Sequence, residues 1–265
     1  MLVQFSLNSA EARELLAAGF WRLPAVQSAR RVVVCRSSTG AALMVARFED
    51  FPWDSFAAGV TLVNGVGVCR KPAPEAVVTG DTWSPQALQD IADLGPDDLV
   101  VKSGNVYDGR RVGVLLGHEQ GFGTMGKIYP GLAVTGEATG CPASVLVPML
   151  SEKLVPPGAL LPSGYPDTAL GWASRFLVYQ PDLIFDERDA IKLLTGGDAL
   201  IVGRGASVDG YSVTTYHVSV EDGGPAELLL ALVDSVKGAD LLPFDEQPAA
   251  VSTAQRPWGG RTTWR

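Results

Sequence analysis

Three short apolar runs, Asp98 to Lys102, Arg111 to Leu116 and Ala143 to Pro148, constrain the fold of this chain more than any other feature. Each is short, rich in valine and leucine, and bounded by turn formers, which reads as strand. A helix is expected just ahead of the first. Ser84 is a good N-cap, Pro85 fits the first helical position, and QALQDIADL keeps one apolar face up to Gly95. Helix and strand, then a loop, a helix and a further strand, is the order of a parallel sheet with crossovers. Residues 84 to 150 therefore read as α/β, with the three runs in one sheet and the helix from Ser84 to Leu94 packed on a face.

The flanking segments extend this reading. Asn8 and Glu11 stand at capping-box spacing before AEARELLAA, and Gly19 supplies a stop, so a helix is expected there. Val32 to Cys35, Ala42 to Phe48 and Gly59 to Cys69 are rich in β-branched residues and divided by turn formers such as Ser37-Ser38-Thr39-Gly40, the pattern of neighbouring strands. Proline and glycine concentrate in PPGALLPSGY, from Pro156 to Tyr165, a candidate boundary. Beyond it the expected order is a strand (Arg175 to Gln180), a helix capped by Asp186 (Glu187 to Leu194), two strands (Ala199 to Val202 and Tyr211 to Val220) and a helix (Pro225 to Lys237). That β-α-β-β-α order is most of a ferredoxin-like unit and equally suits an extension of the first sheet. The expected organisation is thus an α/β domain over 1–155 built on a mostly parallel sheet with crossover helices. An α+β portion follows over 166–242, then an irregular tail over 243–265 without apolar period. No internal repeat is seen, which excludes solenoids.

A chain of 265 residues with 46% hydrophobic and 19% charged content can bury a full core. Its formal net charge of −8 argues against a polyanionic partner such as nucleic acid. The tight basic pairs, Arg30-Arg31 and Arg110-Arg111, each open an apolar run and read as solvated strand starts rather than anion clamps. The start MLVQFSLNSAEARE has no basic region followed by an apolar stretch, and no segment reaches the ~18 apolar residues of a spanning helix. The expected location is the cytoplasm, with no membrane partner. Cys35, Cys69 and Cys141, odd in number and widely spaced, suit free thiols. With only His118 and His217 beside them, a zinc site of ordinary spacing is not expected.

Gly121-Phe-Gly123-Thr-Met-Gly126-Lys127 is the most conspicuous local feature, a G-x-G-x-x-G spacing shortly after an expected strand. Glycines there would let backbone approach a phosphate, with amides at a helix start as donors. Pro130, Gly131 and Gly136 follow closely, so the helix a dinucleotide fingerprint requires is short at best. A dinucleotide site, an anion-binding loop of another kind and a structural turn all remain open for this segment. Asp108 lies at a strand end where carboxylates serve catalysis in open α/β sheets, although Tyr-Asp-Gly-Arg is also an ordinary turn. His118 beside Glu119 offers general acid/base chemistry next to the glycines. Cys141 reads as a buried thiol, His217 as a hydrogen-bonded strand residue, and Trp53, Trp83 and Trp172 as core or rim aromatics.

The stretch from Lys127 to Pro148, KIYPGLAVTGEATGCPASVLVP, resembles the "N-K-I-G-T, apolar helix, G-x-P, strand, P" segment of the methylthioribose-1-phosphate isomerase and initiation-factor-2B regulatory subunit family. Asp98-Leu-Val-Val-Lys-Ser-Gly-Asn105 is similar to that family's strand ending in G-A-D, and Val34-Cys35-Arg-Ser-Ser-Thr-Gly40 to its C-N-T-G turn. The resemblance implies a fold of the ribose-5-phosphate isomerase and coenzyme A transferase group. It sets Asn105 where the family uses an acid/base aspartate, and an amide cannot relay a proton as a carboxylate can. The resulting expectation is a small-molecule enzyme, isomerase- or transferase-like, acting on a phosphorylated or otherwise anionic metabolite. Gly121, Gly123, Thr124, Gly126 and Lys127 would hold the anion, and Asn105, Asp108 and His118 would supply polar groups at the reacting centre. No pattern names a cofactor. The alternative is a non-catalytic ligand-binding or regulatory protein, with assembly as a homo-oligomer left open.

Overall fold

A computed structural model describes residues 1–56, 59–63, 66–70, 74–86, 93–116, 123–168, 173–207 and 211–239. It carries the short helices α2 (Pro24–Ser28) and α4 (Trp53–Phe56) and a hairpin of β3 (Gly59–Val63) and β4 (Val66–Arg70), and its centre is a six-stranded sheet. Four strands run parallel: β2 (Arg31–Val34), β7 (Asp98–Val101), β10 (Ser144–Pro148) and β12 (Leu183–Phe185). On the other flank of β2, β5 (Glu75–Thr79) pairs antiparallel, and β6 (Thr82–Gln86) turns back along β5 as the edge, giving the order β12-β10-β7-β2-β5-β6. The sheet is therefore mixed rather than mostly parallel. A short β5–β6 connection, not a crossover helix, supplies its outer third.

The apolar runs are continuous because the central strands are buried on both faces. Val32, Val34, Ala76, Val78, Leu99, Val101 and Leu146 enter one core. Val33, Cys35, Val77, Val100, Val145 and Val147 enter a second on the opposite face. Each valine or leucine among them contributes roughly 1.5–3 kcal/mol on burial, and the sheet has no solvent-facing side over these strands.

The first face is covered by α1 (Ser9–Phe20), α3 (Ser38–Val45), α7 (Glu187–Thr195) and α8 (Gly224–Val236). Behind them lies an antiparallel sheet in the order β1-β14-β13, from β1 (Leu2–Asn8), β13 (Asp198–Ala206) and β14 (Ser212–Ser219). Asn8 caps α1 by accepting from Ala10 N and Glu11 N, and Glu11 answers at the Asn8 amide, completing the box. Gly19 does not end this helix. It lies inside it, because a Cβ there would sit 2.5 Å from that of Ala190 on α7. Asp186 caps α7 in the same reciprocal way with Asp189.

The second face carries β8 (Val106–Tyr107), β9 (Val112–Leu116) and β11 (Arg175–Tyr179) as a separate antiparallel sheet, with α5 (Gly123–Ile128) and α6 (Gly131–Thr135) beside it. The run from Arg111 to Leu116 thus leaves the sheet that holds its two companions. The Asp108–Arg111 turn folds β9 back on β8, and β11 pairs on its other side. The expected C-terminal unit is likewise distributed: β11 joins β9, β12 precedes α7, and β14 pairs with β1.

Two elements change type. Ser84 and Pro85 lie in strand β6, where an edge position tolerates a residue without an amide hydrogen. The remainder of the expected helix, residues 87–92, falls outside the described residues. Ala42 to Phe48 is not a strand but mostly α3, started by Ser37, whose hydroxyl accepts from Gly40 N at 2.8 Å. Arg30 stays half exposed and Arg31 is largely covered, but neither is a free strand start. Both guanidiniums reach Asp98, at 2.7 and 2.8 Å, and that carboxylate is fully buried.

Candidate functional site

The chain leaves β2 and β7 toward opposite faces. After β2 it enters α3, whose Ala41, Leu43 and Met44 join the first core; after β7 it passes through Ser103 and Gly104 to β8 and β9 in the second. In open α/β sheets such a divergence marks the crevice where ligands collect, outside the carboxyl ends of the strands. The register fixes what lies there. Ala76, Val34 and Val101 stand side by side across β5, β2 and β7. The next residues outward are Glu75, Cys35 and Lys102, and Cys35 N donates to Val101 O at 2.8 Å to hold the row together. Alternation along a strand turns this row toward the second face, the face on which Cys35 is buried and on which α5 lies.

Glu75 is 6% exposed, and one carboxylate oxygen, Oε2, accepts the amide of Arg36 at 2.6 Å. Burial pushes its pKa above the usual carboxylate range. The Arg36 amide and the charges of Lys102, Arg36 and Lys127 pull the other way without overturning it. These charges come from the β2–α3 junction, the residue after β7 and α5. Between Glu75 and Lys102, the Cys35 thiol is pushed well up, first by burial and then by Glu75, with Lys102 opposing. Arg36 is itself buried and sends Nε to Phe56 O at 3.2 Å, while burial lowers its pKa and Glu75 raises it.

Two hydroxyls stitch the crevice. Ser37 Oγ lies 2.6 Å from Ser103 Oγ, joining the end of β2 to the end of β7, and Lys102 Nζ donates to Ser103 O at 3.2 Å. Two glycines allow the chains to close in. A Cβ at Gly40 would meet Cys35 O at 2.7 Å, and one at Gly104 would meet Val112 Cγ1 at 2.3 Å. The arrangement offers cationic side chains, the first-turn amides of α3, and a carboxyl and a thiol able to hold or move a proton.

No family model, curated protein or solved structure matches the chain. The site is therefore read from its own geometry.

Of the residues expected from sequence, Lys127 stands exposed on α5, and its charge is the weakest of the influences named at Glu75. Thr124 and Gly126, both half-buried, sit on the same short helix. Gly123 has φ +55 with open space around its missing side chain, so the turn itself calls for glycine there. Gly121 and His118 lie outside the described residues. Asn105 is occupied by the neighbouring sheet: its Oδ1 accepts from Leu115 N at 2.9 Å and its backbone N donates to Gly113 O.

Asp108 serves its own turn. Burial raises its pKa, but donors from Arg111, Arg110 and Gly158 outweigh this and hold it down to about 2. Its side chain is 3% exposed and paired with Arg111, so the Arg110-Arg111 pair is partly consumed too. Glu75, Arg36 and Lys102 were missed. The available signal was a charged residue at the end of each central apolar run, RVVVCR and DLVVK, and at the start of EAVV.

Two other features bear on the choice of site. Glu187 is 1% exposed and accepts from Ser151 N, Ser151 Oγ and Tyr216 OH. Ser151 is wholly buried, so this network ties elements together rather than facing a ligand. A cleft of about 750 Å³ lies between α1, the end of α3 and the end of α8, lined by Glu14, Trp21, Arg47 and Lys237. Two of its cations are engaged, since Arg47 stacks on Trp21 at 4.6 Å and pairs with Asp81 and Lys237 pairs with Glu11, while Arg22 stands exposed at its edge. Among the described residues no group of three His, Cys, Asp or Glu side chains is placed to hold a metal, and no helix is long and apolar enough to cross a membrane.

Proposed function

We propose that the protein is a small-molecule enzyme acting on a phosphorylated or otherwise anionic metabolite, isomerase- or transferase-like, bound where β2 and β7 diverge. The carrying observation is the buried Glu75, bonded to the Arg36 amide and set in one row with Cys35 and Lys102, with the charges of Arg36, Lys102 and Lys127 favouring its carboxylate. In a chain of net charge −8 such a positive cluster runs against the overall field and favours an anion locally. Lys127 and Lys102 would meet the ligand's charge as point cations, Arg36 would act from below, and the first amides of α3 would add donors. Glu75 and Cys35 are the groups placed to exchange a proton with the ligand.

Position also supports the reading. The segments that resemble the methylthioribose-1-phosphate isomerase family fall on β2–α3, β7 and α5–β10, and the first two end at this divergence while the third begins on α5, on the same face of the sheet. A second reading, a non-catalytic ligand-binding or regulatory protein, draws on a specific pair of facts: Asn105 is an amide already bonded to β9, and the Cys35 thiol is held protonated by burial.

A thermal-shift screen against sugar phosphates, nucleotides and acyl-coenzyme A tests the site. A ligand at about a hundred times its dissociation constant adds about 2.7 kcal/mol to stability. The expected hits are phosphorylated compounds, with the shift lost in Lys102→Gln. Turnover of a hit separates enzyme from binding protein. A hit whose shift is the same in Lys102→Gln and Lys127→Ala would move the site elsewhere.

A further inference from the structure

We propose that the cleft between the ends of α1, α3 and α8 is the docking site of this chain's own segment Asp240 to Glu246, laid back across it as a strap. The inference is independent of the anion-binding reading above.

Three helices end at this cleft of about 750 Å³: α1 at Phe20, α3 at Val45 and α8 at Val236. Its wall is apolar at Ala17, Ala18, Trp21, Ala46 and Val236, and a cation follows each helix end within two residues, at Arg22, Arg47 and Lys237. Arg47 and Lys237 have acidic partners, whereas Arg22 is exposed and forms no ion pair among the described residues. The way the chain leaves α8 points it at this wall. Gly238 takes the left-handed φ of +75, its amide donates to Glu11 Oε1 at 3.1 Å, and Lys237 Nζ reaches Glu11 Oε2 at 3.1 Å, so the exit is tied to α1. Ala239, where the described residues stop, is itself part of the cleft lining, and residues 240–265 continue from there. The first of them supply the chemical complement. Asp240-Leu-Leu-Pro-Phe-Asp-Glu246 holds three acids and three large apolar side chains with no base, and the bases of the tail come only at Arg256, Arg261 and Arg265. Pro243 fixes its own φ and biases Leu242 away from helix, which suits an extended crossing. At about 3.3 Å per residue such a segment spans a cleft of this volume. Leu241, Leu242 and Phe244 then meet the apolar wall, and Asp245 and Glu246 meet Arg22. A tethered segment faces its site at an effective concentration on the order of millimolar, so a small apolar contact suffices to hold it.

Nuclear magnetic resonance of the full chain, with leucine methyls labelled, tests the docking. The expected result is Overhauser contact between the Trp21 indole and the methyls of Leu241 or Leu242. The amides of 240–246 should also exchange at least about tenfold more slowly than those of an open chain. Arg22→Glu, at an exposed position, should speed that exchange by about two- to fivefold, the scale of a rim charge. Leu242→Ser combined with Phe244→Ser should abolish the Overhauser contacts and move the amide signals of Ala17 to Arg22 and of Arg47, while those of β2 and β7 stay in place as a check on the fold. Open-chain exchange throughout 240–246, or cleft signals that do not respond to the double variant, would overturn the proposal. Overhauser contacts found only between differently labelled molecules in a mixed sample would overturn it too, since the occupant would then be a second copy.

Discussion

Glu187 and Asp98 are both buried carboxyls, and their surroundings send them in opposite directions. At Glu187, burial and the adjacent Asp186 charge outweigh the bonds from Ser151 and Tyr216, and the pKa is pushed from the ordinary 4.5 up to about 7. The unfolded chain gives up this proton first. The contribution to stability is therefore whole below about 4.5 and is lost as pH rises through about 7. Its size is on the order of 3 kcal/mol. Melting temperatures of the wild type should fall across that window relative to Glu187→Gln, and parallel profiles for the two proteins would contradict this.

At Asp98 the leading influence is the Arg31 guanidinium, opposed by burial and joined by Arg30 and the Gly95 amide, and the pKa is held well below its usual value. That contribution is present above the ordinary value of 3.8 and is lost as pH falls through and below it. Asp98→Ala leaves two guanidiniums without their shared partner. Because Arg30 is half exposed, a loss near the lower end of the range for broken buried pairs is expected, about 3 kcal/mol by denaturant unfolding.

At the scale of single elements, α1 separates local from tertiary control. Its start is set by the reciprocal bonds of Asn8 and Glu11, so Asn8→Ala should cost about 1 kcal/mol. Its interior glycine is set by α7. Gly19→Ala gains about 1 kcal/mol of helix propensity, yet its Cβ would press on Ala190, and overpacking costs typically 1–3 kcal/mol. Net destabilisation in urea is expected; a stabilised variant would show that the two helices move apart freely.

The same division explains what was legible in the sequence. The caps at Asn8 and Asp186 and the runs at Val32, Asp98 and Ser144 carry their own local chemistry, and they fold as read. Ser84-Pro85 carries an equally good local signal for a helix start and lies in a strand, because β5 offers an edge to pair with. Ala42 to Phe48 mixes helix formers with apolar character, and Ser37, a cap read as a turn residue, tips it to helix.

For the whole molecule, the candidate site was hidden by sheet order. Glu75, Cys35 and Lys102 are far apart in the chain, and only the arrangement β5-β2-β7 sets them in one row. No spacing rule reports that an antiparallel strand will bring a carboxylate to the end of β2. The glycine-rich segment was visible because its pattern is local, and its contribution narrows to the charge of Lys127, the weakest of the influences named at Glu75. Asp108, equally visible, is consumed by its turn with Arg111. Removing charge from the row should weaken anion binding by about tenfold or more per cation, while Asp108→Asn should alter stability and leave affinity unchanged.

The most direct measurement follows amide chemical shifts of the protein in solution during titration with sulfate at mildly acidic pH. Saturable shifts concentrated at Arg36 to Gly40, Lys102 to Asn105 and Thr124 to Ile128, and abolished by Lys102→Gln, are the predicted result. Saturable shifts confined to the cleft at Trp21 and Arg47, or no saturable shift at all, would contradict the account.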